Sequence, residues 1–246
     1  MKILILFSIA FAYGFLGNVV SNANPHPYEA IFNFGDSISD TGNAATYHPK
    51  MPTNSPYGST YFKHPSGRKS NGRLIIDFIE GAIELVVPGN FPIGCNSAVL
   101  AIVNSDKKDD YDQFGCLVTY NTFIEYYNEQ LKKAIETLRQ ENPDVKITYF
   151  DYYGATKRLF QAPQQYGFSS GKIETFRACC GKGEPYNLSA QIACGSPAAT
   201  VCSNPLKYIN WDGPHFTEAA YKLIAKGLIE GPFANPSLKS PPFKIA

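Results

Sequence analysis

Short apolar runs alternate with stretches of helical periodicity along most of this chain. Buried strands are predicted where such a run ends in turn residues, at Ala30–Phe34, Ile83–Val87 and Val145–Phe150. Helices are predicted where apolar residues recur every three or four positions, at Leu74–Ile83, at Thr119–Gln140 and after the N-cap candidate Thr217. This alternation predicts an α/β fold with a mostly parallel sheet covered on both faces, whose functional site lies beyond the carboxyl ends of the strands.

Two stretches have no such periodicity. Residues 44–71 are rich in proline, glycine, serine, tyrosine and histidine, which predicts a long surface loop near the first strand. The tail from Phe233 onward carries several prolines, and we expect it to run extended on the surface.

Length and charge limit the classes of function. A chain of 246 residues suits one sizeable domain. The net charge is +1 and the basic residues are not clustered, so a nucleic-acid partner is not expected. The sequence has no glycine-rich phosphate loop, dinucleotide fingerprint or metal-ligand cluster, so we expect no cofactor and no metal.

The amino terminus has the pattern of a secretory signal peptide. Lys2 precedes an apolar run from Ile3 to Val20, and Ser21-Asn22-Ala23 offers small residues at the positions that signal peptidase reads. The alternative is an uncleaved membrane anchor, but polar and glycine residues interrupt the run and no later stretch has membrane length. We expect residues 1–23 to be removed, leaving no integral membrane segment in an exported protein.

The six cysteines fit an oxidising compartment. Cys95 and Cys116 flank one loop and are expected to pair. Adjacent Cys179 and Cys180 are expected to pair with Cys194 and Cys202, in either of two arrangements, because a bond between neighbours would be strained. A zinc site is the alternative for this cluster, although its spacing contains no Cys-x-x-Cys pattern. Asn187 begins a glycosylation sequon, Asn-Leu-Ser.

Three residues offer the chemistry of a serine hydrolase. Ser37 follows the first predicted strand, and Asp212 and His215 lie in a turn before the last helix. A serine hydroxyl needs a histidine to accept its proton and a carboxylate to orient that histidine. The Asp-x-x-His spacing lets Asp212 reach one ring nitrogen of His215 and leaves the other for Ser37. Each motif alone is weak.

Together, two blocks in this order resemble the GDSL esterase/lipase family of the SGNH hydrolases. The first is Phe34–Asn43, with the sequence FGDSISDTGN, and the second is Trp211–Thr217, with WDGPHFT. The intervening segments PYGSTYF, GRKSNGR and VPGNFPIGC, at 56–62, 67–73 and 87–95, resemble the plant branch. The resemblance implies a single domain over residues 24–246, a three-layer α/β sandwich, and a catalytic triad of Ser37, Asp212 and His215.

The chain departs from the family pattern between Ile79 and Glu80. Family members carry a long stretch there that supplies an oxyanion-binding glycine N–H and an asparagine side chain, and neither block is present. Gly89-Asn90 is not assigned that role, since its flanking residues place it in a later family segment. Only the backbone N–H of Ser37 is carried over as an oxyanion donor, and the sandwich is expected to be truncated.

The resemblance therefore implies a secreted esterase or lipase of the apoplast or cell wall. Its substrate would be an acyl lipid, an acetylated polysaccharide or a small ester. The alternatives are a catalytically impaired or silent secreted protein that binds through the same cleft, and a truncated splice form or gene model. Loss of one oxyanion donor typically costs about 2.7–4 kcal/mol of transition-state stabilisation. The absence of the stretch that carries two donors therefore favours the impaired, silent or truncated alternatives over an ordinary active esterase.

Overall fold

The computed structural model describes residues 36–42, 56–78, 85–143 and 145–238. The strand predicted at Ala30–Phe34, the predicted signal peptide at 1–23 and the junction at 79–80 lie outside these residues. No helix in the described ranges is long and apolar enough to cross a membrane.

The described residues form helices and two small sheets. The α-helices are α1 (Ser97–Val103), α2 (Val118–Glu141), α3 (Tyr152–Gln161) and α4 (Glu218–Ile229). The strands are β1 (Leu85–Pro88), β2 (Ile147–Phe150), β3 (Cys180–Gly181), β4 (Thr200–Val201) and β5 (Ala234–Asn235). Short 3-10 turns lie at Ile76–Phe78, Ile93–Cys95, Lys108–Asp110, Pro163–Tyr166 and Pro205–Lys207.

The larger sheet has the order β1-β2-β5 and is mixed. β1 and β2 are parallel, with Leu85 opposite Ile147 and Pro88 opposite Phe150. β5 pairs antiparallel with the other edge of β2. The α/β class is therefore confirmed, but the described sheet has one parallel and one antiparallel pairing where a mostly parallel sheet was expected.

The two long helices predicted from periodicity are confirmed. α2 spans Val118–Glu141 and buries Ile124 and Ile135. α4 begins after Thr217, whose hydroxyl accepts the backbone N–H of Ala220 at 3.3 Å. Thr217 is thus the N-cap that satisfies one of the free N–H groups of the first turn.

The prediction of a helix at Leu74–Ile83 is wrong for its described part. Only Ile76–Phe78 form a 3-10 turn, in which Asp77 N–H donates to Leu74 O at 3.2 Å and Phe78 N–H donates to Ile75 O at 3.0 Å. The carboxylate of Asp77 accepts the N–H of Leu74 at 2.8 Å and also binds Arg68. This side chain holds the segment as a tight turn.

The described part of the carboxyl-terminal tail is extended, as expected, but it also pairs with the sheet. Ala234 and Asn235 form strand β5 against β2, and Ala234 is 7% exposed. Arg139 of α2 donates to the carbonyl of Asn235 at 2.6 Å. Backbone pairing with β2 and the guanidinium of Arg139 therefore hold the first residues of the tail against the sheet.

The main core lies between the sheet and helices α3 and α4. Fully buried members of this core include Leu159, Ile224 and Leu228. A second buried cluster places Trp211 against Cys179 and Cys180. The residues between these two clusters, 209–217, connect the core to the cysteine-rich region and carry Asp212 and His215.

Candidate active site

Ser37 lies in a turn that Asp36 organises. The carboxylate of Asp36 accepts the N–H of Ile38 at 2.9 Å, and its carbonyl accepts the N–H of Ser39 at 3.0 Å. Ile38 packs against the main core, and Arg68 donates to the carbonyl of Thr41 at 3.1 Å. The turn is thus held on both sides of the serine, whose side chain stays partly accessible.

Asp212 and His215 lie in a closed turn before α4. The N–H of Trp211 donates to the carbonyl of His215 at 2.7 Å, and the N–H of His215 donates to Asp212 Oδ1 at 3.1 Å. Gly213 has a φ of +107°, and a Cβ there would lie 3.0 Å from Leu188. The positive φ and this close approach both favour glycine at position 213.

The structure brings the three predicted residues into one hydrogen-bonded chain. Ser37 Oγ lies 2.7 Å from His215 Nε2. His215 Nδ1 lies 2.8 Å and 2.9 Å from the two carboxylate oxygens of Asp212. An ionised carboxylate only accepts hydrogen bonds, so Nδ1 carries the proton and Nε2 is left to accept from the serine hydroxyl.

This arrangement can transfer a proton away from a serine. The side chains of His215 and Asp212 are 11% and 5% exposed, so water competes little for their contact. The neutral imidazole can accept the serine proton, and the carboxylate then stabilises the imidazolium that forms.

The disulfide cluster supports the aspartate–histidine turn. Cys179 N–H donates to the carbonyl of Asn210 at 3.0 Å, and Cys180 N–H donates to that of Trp211 at 2.6 Å. Of the two arrangements left open by the sequence, the structure has Cys179–Cys202 and Cys180–Cys194. Cys95 pairs with Cys116, as expected.

Tyr57 contacts Asp212 in the structure, which the sequence did not predict. Its hydroxyl donates to Asp212 Oδ2 at 2.6 Å, although 155 positions separate the two residues. Burial, and then the charge of Asp212, raise the pKa of Tyr57 above its ordinary value, so the phenol remains a donor. The PYGSTYF block contributes to the family resemblance, but nothing in the tyrosine itself predicts this partner.

Gly89 and Asn90 have their backbone N–H groups committed elsewhere. Gly89 N–H donates to the carbonyl of Phe150 at 2.9 Å, and Asn90 N–H donates to Asn128 Oδ1 at 2.8 Å. These two N–H groups serve the sheet and helix α2.

The remaining features lie apart from this chain of contacts. A cavity of about 590 Å³ opens beside the start of α4, lined by Asn71, Arg73 and Glu218 among others, with no member of the Ser37–His215–Asp212 chain in its wall. Within the described ranges, no group of three or more candidate ligands could hold a metal ion. Asn187 of the sequon is half-buried, and its Nδ2 donates to the carbonyl of Ala178 at 3.0 Å.

A serine, a histidine and an aspartate linked in this order on an α/β scaffold have the geometry of a serine-hydrolase site. Residues 79–228 match the model of the GDSL-like lipase/acylhydrolase family. The chain belongs to this family of ester hydrolases, which confirms the resemblance seen in the two sequence blocks.

Individual plant proteins are similar over most of their length. One GDSL esterase/lipase of Arabidopsis thaliana is 30% identical over 353 aligned positions, which cover 91% of this chain and 91% of the relative. A second from the same plant is 30% identical, covering 90% and 89%. A sinapine esterase of Brassica napus is 29% identical, covering 89% and 90%.

Proposed function

We propose that this chain hydrolyses carboxylic esters with Ser37 as nucleophile, His215 as general base and Asp212 as the orienting carboxylate. The observation that carries the proposal is the unbroken contact from Ser37 Oγ through the imidazole to Asp212, at 2.7 Å and 2.8 Å. The membership of an ester-hydrolase family supports the same reaction.

The reaction proceeds in two halves. In the first, the Ser37 proton passes to His215 Nε2 as Oγ attacks the carbonyl carbon, and the imidazolium then returns the proton to the departing alcohol. In the second, His215 takes a proton from water as the water oxygen attacks the acyl carbon, and the imidazolium then returns that proton to Ser37 Oγ as the bond to the serine breaks and the acid leaves. Asp212 stays ionised throughout and keeps the imidazole in the tautomer that accepts from serine.

The backbone N–H of Ser37 is the one oxyanion donor that we assign. We further propose that the chain lacks the segment carrying the usual glycine and asparagine donors, near positions 79–80. Two findings support this: the family match begins at residue 79, and the alignment to the first Arabidopsis relative has 353 positions although the chain has 246 residues. The second candidate function is therefore an impaired or silent family member.

Export from the cell is part of the proposal. Three disulfides support an oxidising compartment, and we propose removal of residues 1–23 and action in the apoplast or cell wall. Amino-terminal sequencing of secreted protein should begin near Asn24. An intact Met1 on protein with free thiols would overturn the export proposal.

Labelling with a fluorophosphonate probe tests the triad directly, because the probe reacts with an activated serine. We expect a single labelled peptide containing Ser37, and loss of labelling in both Ser37→Ala and His215→Ala. Ser59→Ala removes an exposed hydroxyl from another turn and should label like the unaltered chain. Labelling that persists in Ser37→Ala would refute the assignment of the nucleophile.

A further inference from the structure

We infer that Tyr57 is a positioning residue for the aspartate–histidine pair, with its hydroxyl fixing the orientation of the Asp212 carboxylate. The inference rests on the proposed function, because it concerns how the triad is held. It adds a fourth side chain, from a distant part of the sequence, to the residues on which the reaction depends.

The two oxygens of Asp212 each have one fixed donor. Oδ1 accepts the backbone N–H of His215 at 3.1 Å, and Oδ2 accepts the hydroxyl of Tyr57 at 2.6 Å. With both oxygens held, His215 Nδ1 lies almost equally far from them, at 2.8 Å and 2.9 Å. Without the hydroxyl, the carboxylate could turn about its last bond, and the imidazole would turn with it.

The surroundings of Tyr57 fix the position of its hydroxyl. The ring meets the fully buried Trp211 edge to face, with centroids 6.1 Å apart, and belongs to the cluster of Cys179 and Cys180. The next residue, Gly58, donates its N–H to the carbonyl of Ser70 at 2.9 Å. A ring held by packing and a backbone held by a hydrogen bond leave the hydroxyl little freedom, which is what a positioning role requires.

Charges near this contact have a consequence for pH dependence. The ammonium of Lys69 lies 5.0 Å from the centre of the Tyr57 ring, and Tyr221, whose pKa burial and then the charge of Asp212 raise, is uncharged. A hydroxyl that donates to a carboxylate draws off part of its negative charge. Removing it leaves more charge facing His215 and favours the imidazolium, so the acidic limb of the rate profile should move to higher pH.

The test compares Tyr57→Phe, which keeps the ring, with Tyr61→Phe, which removes a half-exposed hydroxyl from the same loop. For p-nitrophenyl acetate we expect Tyr57→Phe to lower kcat about ten-fold with little change in KM, the factor expected from losing roughly 1.4 kcal/mol. The acidic limb should move to higher pH in Tyr57→Phe, whereas Tyr61→Phe should match the unaltered chain in both measurements.

An unmoved acidic limb in Tyr57→Phe would overturn the inference whatever happens to kcat, because loosened packing alone can slow a reaction. If the unaltered chain neither hydrolyses the ester nor reacts with a fluorophosphonate, the proposed function fails. In that case, NMR titration of the His215 ring tests the positioning role of Tyr57 without any activity measurement. The His215 signals are identified by their absence in His215→Gln. A proton-uptake midpoint unchanged between the unaltered chain and Tyr57→Phe would overturn the inference there too.

Discussion

The turn at residues 209–217 and the strand β1 are held in very different ways. The turn receives hydrogen bonds from the cysteine-rich segment, from Tyr57 and from Asn96, which donates to the carbonyl of Pro214 at 3.2 Å. Among the described residues, β1 pairs with β2 alone, and its Leu85 is 56% exposed. Its paired residue Ile147 is 6% exposed.

This difference separates two parts of the catalytic task. In the proposed mechanism, proton transfer depends on the turn at 209–217, which is supported by contacts from segments 56–73, 96–98 and 178–180. Oxyanion stabilisation in the proposed family pattern depends on a segment that we place next to the junction at 79–80, ahead of β1. The chain therefore combines a well-supported candidate triad with a sheet edge that has few partners in the described residues.

The largest expected effect comes from removing a disulfide near the turn. Loss of Cys180–Cys194 by a double alanine substitution should lower the free energy of unfolding by about 2–4 kcal/mol. It should also slow fluorophosphonate labelling of Ser37, because Cys180 N–H holds the carbonyl of Trp211 at 2.6 Å.

The matched control is Cys95→Ala with Cys116→Ala, whose bond closes a loop of similar length, with a separation of 21 residues against 14. Denaturant unfolding should show a comparable loss of stability, but labelling of the folded protein should slow less, because this bond is next to only one support of the turn, Asn96. Equal slowing of labelling by both pairs would mean that the disulfide cluster gives the turn no special support.

A smaller effect is expected from a substitution within the turn. Gly213→Ala places a methyl group 3.0 Å from Leu188 at a positive φ, so it should cost about 1–3 kcal/mol and slow labelling of Ser37. Gly167→Ala is the control, since Gly167 also has a positive φ but nothing within 4 Å. Gly167→Ala should lower the free energy of unfolding by about 1 kcal/mol, through backbone strain alone, and leave the labelling of Ser37 unchanged. Equal labelling rates in the two variants would argue against a tightly held turn.

The smallest effect is expected on the exposed edge. Leu85→Thr should change the free energy of unfolding by less than about 0.5 kcal/mol, as surface substitutions usually do. Ile147→Thr, at the paired position in the buried strand, should cost about 2 kcal/mol because it buries a hydroxyl and loses apolar contact. Similar losses in thermal unfolding would show that β1 is as well covered as β2.

Much of this structure could be predicted because its signals are local. The period of apolar residues gave α2 and α4, and the spacing of Asp212 and His215 placed both in one turn. Ser37 was placed by the turn that follows a predicted strand, and the structure puts its hydroxyl 2.7 Å from His215.

Other features depend on contacts between distant residues and left no local signal. Helix α1 has the sequence SAVLAIV, whose valine and isoleucine residues are also common in strands. The pairing of the tail with β2 required knowing that Asn235 would meet Arg139. The contact of Tyr57 with Asp212 is of the same kind, because a tyrosine in a loop carries no mark of its partner.

The most direct test of the account restores a relative's segment between Ile79 and Glu80 and compares kcat/KM on two esters. An activated ester such as p-nitrophenyl acetate depends less on oxyanion stabilisation than an unactivated lipid ester does. The account predicts that the segment raises the lipid-ester rate about 100-fold or more and the activated-ester rate much less. Equal lipid-ester rates with and without the segment would contradict it and would mean that other residues of this chain already stabilise the oxyanion.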